Sequence, residues 1–222
     1  HRPNRRQRQM CIRDRYDAVL KHSRSNVFQV SDNKYGQISE GWLQGCEHIQ
    51  SPNYGERPVG ATVELVVVHN ISLPPGEFGG PHVSELFTNS LDPQGHPYFE
   101  EIADLRVSAH FLIRRDGHVI QFVSTKDMAW HAGVSQWRNR EKCNEFSLGI
   151  ELEGTDTHLY TQEQYARLEE IILKCRTAHP DIEEDAIVGH SDIAPGRKTD
   201  PGESFDWQEL QTRLGVELLP RS

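Results

Sequence analysis

Apolar and polar positions in the middle of the chain predict two long strands. Residues 63–69 read V-E-L-V-V-V-H, a β-branched run that predicts a buried strand with His69 at its end. Residues 147–153 read S-L-G-I-E-L-E and alternate with period two. Their leucine and isoleucine side chains share one face, and Glu151 and Glu153 share the other.

Shorter strands are predicted on both sides of the second of these. Residues 107–113 and 118–123 are joined by R-D-G, and the Asp-Gly pair favours the tight turn of a β-hairpin. Residues 186–189 predict a brief strand that ends at His190.

Two helices are predicted in the C-terminal half. Thr161 and Gln164 form a capping box, and Asp206 with Glu209 opens a final helix. Apolar residues continue both at helical spacing: Tyr165, Leu168, Ile171, Ile172 and Cys175, then Trp207, Leu210 and Leu214. Interleaved strands and helices predict an α/β fold in which one central mixed β-sheet is flanked by helices.

Two segments lack this regularity. Residues 70–105 contain the turn clusters P-P-G-E-F-G-G-P and D-P-Q-G-H-P, and so long a connection is usually a lid or a binding wall. Residues 1–38 are polar without sustained periodicity, which predicts a poorly ordered or non-native extension. A single domain is then expected over residues 39–222.

Composition and charge limit the partners. Hydrophobic residues make up 36% and charged residues 26% of the 222, and no apolar run is long enough for a membrane helix. Residues 1–25 hold eight of the 24 basic and two of the 33 acidic residues, so the remainder carries a formal net charge of −15. An acidic body argues against nucleic acid. A soluble monomer that binds neither nucleic acid nor membrane is expected.

The cysteines indicate a reducing compartment. Cys11, Cys46, Cys143 and Cys175 are scattered and form no C-x-x-C pair, which suits neither a thiolate zinc site nor a disulfide framework. The basic N-terminal residues are not followed by an apolar signal segment. A cytoplasmic location is expected.

Three polar residues are candidate metal ligands. His69 and His190 each close a predicted strand, and Asp200 lies in K-T-D-P-G. Two imidazoles and one carboxylate would leave the fourth tetrahedral position of zinc open for water. A histidine after a strand can equally be a hydrogen-bonded structural residue, and no H-E-x-x-H pattern is present. Spacing alone leaves the metal site undecided.

Several segments together resemble the N-acetylmuramoyl-L-alanine amidase type 2 family, and they occur in that family's order between about Gly41 and Leu214. They read V-V-V-H-N-I-S (66–72), S-A-H-F-L-I-R-R-D-G (108–117), W-H-A-G (130–133), S-L-G-I-E-L-E-G (147–154) and G-H-S-D-I-A-P-G-R-K-T-D-P-G (189–202). The segment L-P-P-G-E-F-G-G (73–80) is similar to the cytoplasmic branch that acts on 1,6-anhydro-muramyl peptides.

The resemblance implies a fold like that of type 2 amidases and peptidoglycan-recognition proteins. It also implies that His69, His190 and Asp200 bind Zn²⁺, that Glu151 is the acid and base, and that Lys198 assists as an electrophile. The physical interpretation agrees, since a carboxylate near zinc could take a proton from water and a fixed positive charge could stabilise an oxyanion. A solvated carboxylate and a surface lysine remain alternatives, and Glu153 competes on the same strand face.

Other residues are candidates for contact with substrate. Trp130 could stack on a sugar, although a core tryptophan is as plausible. Arg106 could bind a carboxylate of the stem peptide, and Asn70 could hydrogen-bond the substrate. We interpret His110 and His131 as pocket or structural residues rather than ligands.

The resemblance thus predicts zinc-dependent hydrolysis of the amide between (1,6-anhydro-)N-acetylmuramic acid and L-alanine, during wall recycling in the bacterial cytoplasm. One alternative is a lytic amidase that attacks intact peptidoglycan. Another is a peptidoglycan-binding module without catalysis; such modules typically lack a metal ligand, whereas His69, His190, Asp200 and Glu151 are all present here.

Overall fold

A six-stranded mixed β-sheet forms the centre of the protein. The computed structural model describes residues 33–218. The chain from Lys34 onward forms one compact unit. The predicted extension over 1–38 lies almost wholly outside the described residues, so its boundary stays a prediction. In the part that is described, Tyr35 is buried and its N–H donates to Oε1 of Glu170 at 2.8 Å.

The described residues contain twelve strands. They are β1 Ile38–Ser39, β2 Trp42–Leu43, β3 Glu47–His48, β4 Tyr54–Gly55, β5 Leu65–Ile71, β6 Phe111–Ile113, β7 Val119–Gln121, β8 Met128–Ala129, β9 Gln136–Trp137, β10 Arg140–Glu141, β11 Ser147–Glu153 and β12 Ile187–Gly189. The main sheet has the order β12-β5-β11-β6-β7-β3. The first four of these are parallel, β7 is antiparallel to β6, and β3 is parallel to β7. The predicted mixed sheet is confirmed.

Helices cover both faces of this sheet. The described α-helices are α1 His82–Phe87, α2 Pro97–Ile102, α3 Gln162–Ala178, α4 His190–Ile193 and α5 Trp207–Leu214; a 3₁₀ turn spans Cys143–Glu145. Phe111 and Ile113 pack into the core cluster that contains α3, whereas Leu112 packs into the cluster that contains α1 and α2. Because successive side chains of a strand point to opposite faces, the sheet contributes apolar side chains to a separate core on each face.

The predicted helix starts are confirmed. The Thr161 side chain accepts from the Gln164 N–H at 3.1 Å, and the Gln164 side chain accepts from the Thr161 N–H at 3.1 Å. Helix α3 therefore begins with a capping box. Asp206 accepts from the Glu209 N–H at 3.0 Å at the start of α5. No helix within residues 33–218 is long and apolar enough to span a membrane.

The strands differ from the predicted ranges mainly at their ends. β5 starts two residues later than predicted and continues past His69 to Ile71, and the hairpin strands β6 and β7 are shorter than predicted. The sequence pattern also missed α1 and α2 within residues 70–105, because each helix has six residues and carries little periodicity.

Candidate active site

Three polar side chains meet at one end of the parallel strands. His69 lies in β5, and β12 pairs with β5 so that Gly189 is opposite Val68. The next residue, His190, therefore reaches the level of His69. The loop after α4 then brings Asp200 back to both histidines.

The donor atoms form a triangle with equal sides. His69 Nδ1, His190 Nδ1 and Asp200 Oδ2 lie 3.0 Å from one another. Tetrahedral zinc with bonds of about 2.0–2.1 Å to such ligands separates them by about 3.3–3.4 Å, close to the observed spacing. This is also the one group of three or more histidine, cysteine or acidic residues found near enough to hold a metal in the described part of the chain.

The protonation states suit a cation at the centre of this triangle. His190 Nε2 is 3.0 Å from the Ala132 carbonyl, which can only accept, so a neutral ring that donates there presents an unprotonated Nδ1 to a metal. Burial lowers the pKa of His69 to about 4, which keeps that ring neutral. Burial opposes ionisation of Asp200, but in the metal-free site hydrogen bonds from the two histidines outweigh burial and lower its pKa below the ordinary value; a cation in their place would also favour the carboxylate. Neutral imidazole and ionised carboxylate are the metal-binding forms.

Glu151 lies beside this triangle. β11 pairs in parallel with β5, and the register places Glu151 opposite His69. Its side chain is 8% exposed, and Oε2 has no hydrogen-bond partner in the structure. Burial and then repulsion from Asp200 raise its pKa well above the usual range, and Lys198 lowers it in part. A buried carboxyl with a free oxygen and a raised pKa can exchange a proton near neutral pH.

Glu153 lies on the same strand face but is engaged elsewhere. Its Oε1 accepts from the Gly79 N–H at 2.5 Å and its Oε2 from the Arg115 N–H at 3.0 Å. It does not line the cleft that contains the triangle. The geometry therefore favours Glu151 of the two strand carboxylates as the group that faces a substrate.

The triangle and Glu151 open into a cleft of about 730 Å³. One wall is mostly apolar and comes largely from the segment 70–105, which was expected to form a lid or binding wall. The remaining lining residues form a mostly polar wall. The apolar wall includes Ile71, Leu73, Pro75, Leu86, Phe87, Tyr98, Ile102, Leu105 and Val107, and the polar wall includes Thr155, Asp156, Thr157, Lys198 and Thr199. Lys198 is exposed.

The candidate substrate residues occupy different places. Trp130 lines the cleft and is partly exposed. Asn70 also lines it, but its Nδ2 donates to Asp156 Oδ1 at 2.8 Å. Arg106 is exposed outside the lining, and its Nη1 donates to the carbonyls of Ala103 and Leu105. The structure brings Trp130 and Asn70 to the cleft and gives the Arg106 guanidinium a local role.

Asp156 was not identified from the sequence. It accepts from Asn70 and, through Oδ2, from Thr199 Oγ1 at 2.5 Å, so it ties the loop that carries Lys198 and Asp200 to β5. A Cβ added at Gly202 would lie 2.1 Å from Asp156 Cα, which leaves room only for glycine. An aspartate in an irregular loop gives no signal of this role in the sequence.

His110 and His131 lie outside the triangle; His110 is buried, whereas His131 is partly buried and lines the cleft. His131 Nδ1 is 2.9 Å from His69 Nε2, and His110 Nδ1 accepts from the Gly149 N–H at 3.0 Å. Burial first, then neighbouring positive charges, lower the pKa of both rings well below the ordinary value. Arg57 contributes to both shifts.

Comparison with known proteins gives one consistent result. A family model described as N-acetylmuramoyl-L-alanine amidase matches residues 59–203. The chain is 55% identical over 180 residues to the 1,6-anhydro-N-acetylmuramyl-L-alanine amidase AmpD of Escherichia coli (strain K12), covering 81% of this chain and 98% of that protein.

Solved structures agree. The crystal structure of a selenomethionine AmpD derivative superposes with a TM-score of 0.79 at 53% identity, over 81% of this chain and 99% of that one. AmpDh3 from Pseudomonas aeruginosa, in complex with anhydromuramic pentapeptide, gives a TM-score of 0.54 at 28% identity, over 72% of this chain and 62% of that one.

Proposed function

The chain belongs to the N-acetylmuramoyl-L-alanine amidase family, and on that premise we propose that it hydrolyses the amide bond between 1,6-anhydro-N-acetylmuramic acid and L-alanine in peptidoglycan recycling. The observation that carries this proposal is the triangle of His69, His190 and Asp200 beside Glu151 in one open cleft. The 1,6-anhydro substrate is supported by the similarity to AmpD over nearly its whole length.

The donor set favours zinc. Two imidazole nitrogens and one carboxylate oxygen are a usual ligand set for catalytic zinc, with the fourth position left open. His69, His190 and Asp200 would hold the ion. When bound, zinc would lower the pKa of a water in the cleft towards neutrality and polarise the carbonyl of the scissile amide.

Glu151 serves as the proton carrier in this proposal. Its free Oε2 accepts a proton from the attacking water, and the same carboxyl then protonates the departing amine of L-alanine. A raised pKa suits both steps, because the group must be ionised for the first and must hold its proton until the second.

Lys198 supplies positive charge to the reacting carbonyl. It lines the cleft, and its charge reaches Glu151 and His69, since it lowers the pKa of both. As the carbonyl carbon becomes tetrahedral, negative charge develops on its oxygen. A cation that lines the cleft stabilises that charge more than the neutral ground state.

The cleft walls suit the two parts of a muropeptide. We place the sugar against Trp130 and the apolar wall, because the apolar C–H face of a sugar ring stacks on an aromatic ring. We place Asn70, held by Asp156, next to the peptide. Arg106 is exposed outside the cleft lining, and we place it where a stem-peptide carboxylate that extends out of the cleft could reach it. A cytoplasmic location follows from the sequence resemblance and would be tested by cell fractionation.

A cleavage assay tests the proposed function. The purified protein is offered an anhydro-muramyl tripeptide and intact sacculi side by side, before and after zinc removal, with products identified by mass spectrometry. Release of peptide from the soluble substrate, lost on chelation and restored by zinc, is expected. Preferential cleavage of sacculi would instead indicate a lytic amidase. Binding without cleavage of either would indicate a recognition module.

A further inference from the structure

The segment W-H-A-G (130–133) touches both histidines of the proposed metal site. The His131 ring contacts His69, with 2.9 Å between His131 Nδ1 and His69 Nε2. The carbonyl of the next residue, Ala132, is 3.0 Å from His190 Nε2. Two consecutive residues thus contact Nε2 of both rings, the nitrogen that does not face the metal. Metal-bound histidines commonly donate from this nitrogen to an acceptor that orients the ring.

His69, His131 and Ser147 form a series of hydrogen bonds that ends at the Cys143 carbonyl. The direction of each bond follows from this last acceptor. Ser147 Oγ lies 2.6 Å from the Cys143 carbonyl, which can only accept, so the hydroxyl proton is used there. At 3.1 Å from His131 Nε2, Ser147 Oγ must then accept, which puts the proton of His131 on Nε2. His131 Nδ1 is therefore an acceptor for a proton on His69 Nε2, and a neutral His69 ring that donates there presents an unprotonated Nδ1 to a metal. Without a metal, the Asp200 carboxylate at 3.0 Å competes for the ring proton at Nδ1.

We propose that His131 is a positioning residue which, anchored by Ser147, holds His69 in the tautomer that presents an unprotonated Nδ1 to the metal. The inference rests on the metal site of the proposed function. It concerns how that site is prepared and not which amide is cut. It also gives a role to His131, which the proposed reaction itself does not use.

The backbone around His131 is built to hold its ring in place. Asn144 Oδ1 accepts from the N–H groups of both His131 and Ala132, at 3.2 and 2.8 Å. A Cβ added at Gly149 would lie 2.4 Å from His131 Cγ, so the ring fits against β11 only because that residue is glycine. His131 is partly buried, and a flip of its ring would put carbon atoms in place of both nitrogens and lose both contacts.

Zinc affinity and the tautomer of His69 test the proposal directly. Zinc dissociation constants are measured by competition with a chromophoric chelator on the full chain, for the parent, His131→Leu and His131→Asn. We expect His131→Leu to bind zinc about 10–100-fold more weakly, whereas His131→Asn keeps an acceptor near the position of Nδ1 and recovers most of the affinity. His179→Leu is the control for loss of a partly buried histidine away from the metal site.

Ser147→Ala supplies a second test that keeps the His131 ring. Long-range proton–nitrogen NMR correlations are recorded on zinc-free Asp200→Ala, because the Asp200 carboxylate lies 3.0 Å from His69 Nδ1 and competes for the ring proton. They are expected to show His69 protonated on Nε2. Mixed tautomers of His131 and His69 are expected when Ser147→Ala is added, and Ser147→Ala alone is expected to bind zinc more weakly than the parent. Parent zinc affinity in folded His131→Leu, or an unchanged His69 tautomer in both variants, would overturn the proposal. Failure of the cleavage assay would leave these two measurements unaffected.

Discussion

Glu151 lies directly opposite His69 in the register between β11 and β5. Paired residues on neighbouring strands project from the same face of a sheet, about 5 Å apart. A buried carboxylate and a histidine of the metal site are thereby placed side by side by backbone hydrogen bonds, with no loop between them.

Glu151→Gln is expected to bind zinc like the parent and to lose turnover. The amide has the shape of the carboxylate but cannot take a proton from water, and general-base catalysis contributes about 10²–10⁴-fold. Zinc content by mass spectrometry and kcat on an anhydro-muramyl tripeptide measure the two effects. Glu163→Gln, on the exposed first turn of α3, is the control. Turnover near the parent level in Glu151→Gln would remove its assigned role.

The pH profile is expected to depend on Lys198. Burial and Asp200 raise the pKa of Glu151, and Lys198 lowers it. Only the ionised carboxyl accepts a proton, so kcat/KM falls as pH decreases through that pKa. Lys198→Met removes the lowering charge, so its acid limb should move to higher pH, whereas Lys198→Arg should keep the limb of the parent. An acid limb at the same pH in Lys198→Met would contradict this electrostatic coupling.

Zinc removal is expected to lower the melting temperature. A ligand that binds only the folded state at 100 times its dissociation constant stabilises it by about 2.7 kcal/mol. Differential scanning fluorimetry with and without zinc measures the shift. Asp200→Ala lacks one of the three donors and should lose most of the zinc-dependent shift in melting temperature. Asp181→Ala, on an exposed turn, should keep that shift. An equal zinc-dependent shift in Asp200→Ala would show that the ion binds elsewhere.

Trp130→Ala is expected to raise KM more than Arg106→Ala. Trp130 lines the cleft, and loss of a stacking contact worth about 1.4 kcal/mol raises KM about tenfold. The Arg106 guanidinium already donates to two nearby carbonyls. Trp130→Phe retains an aromatic face and should fall between parent and alanine. Steady-state kinetics on the tripeptide decide the order, and a larger KM for Arg106→Ala would assign the carboxylate contact to that residue.

Glu153→Gln is expected to loosen the cleft wall near Gly79. The carboxylate accepts from the Gly79 and Arg115 N–H groups at once, and an amide keeps one acceptor oxygen. A charge-assisted hydrogen bond contributes about 1.5–3 kcal/mol, so hydrogen exchange at Gly79 or at Arg115, whichever N–H loses its acceptor, should accelerate at least about tenfold. Glu77→Gln, exposed in the same loop, is the control. Unchanged exchange would mean that other contacts hold this wall.

Periodicity and capping residues predicted the elements that bury the most apolar surface. The runs that became β5 and β11 and the capping box of α3 are local patterns, because strand and helix periods are imposed by neighbouring residues. The short helices α1 and α2 were not predicted by periodicity or capping residues. Six residues make too few turns for a period to stand out, and their positions are fixed by packing on Leu112 and Phe122.

The sequence by itself nominated His69, His190, Asp200 and Glu151, through residue type and resemblance, and left Glu153 as a competitor. Only the tertiary structure decided between the two carboxylates. The N–H groups of Gly79 and Arg115, 74 and 38 residues away, donate to Glu153, whereas Oε2 of Glu151 has no hydrogen-bond partner. It also revealed the contacts of Asp156 and His131. Hydrogen-bond direction, burial and strand register join residues distant along the chain, and no local pattern encodes them.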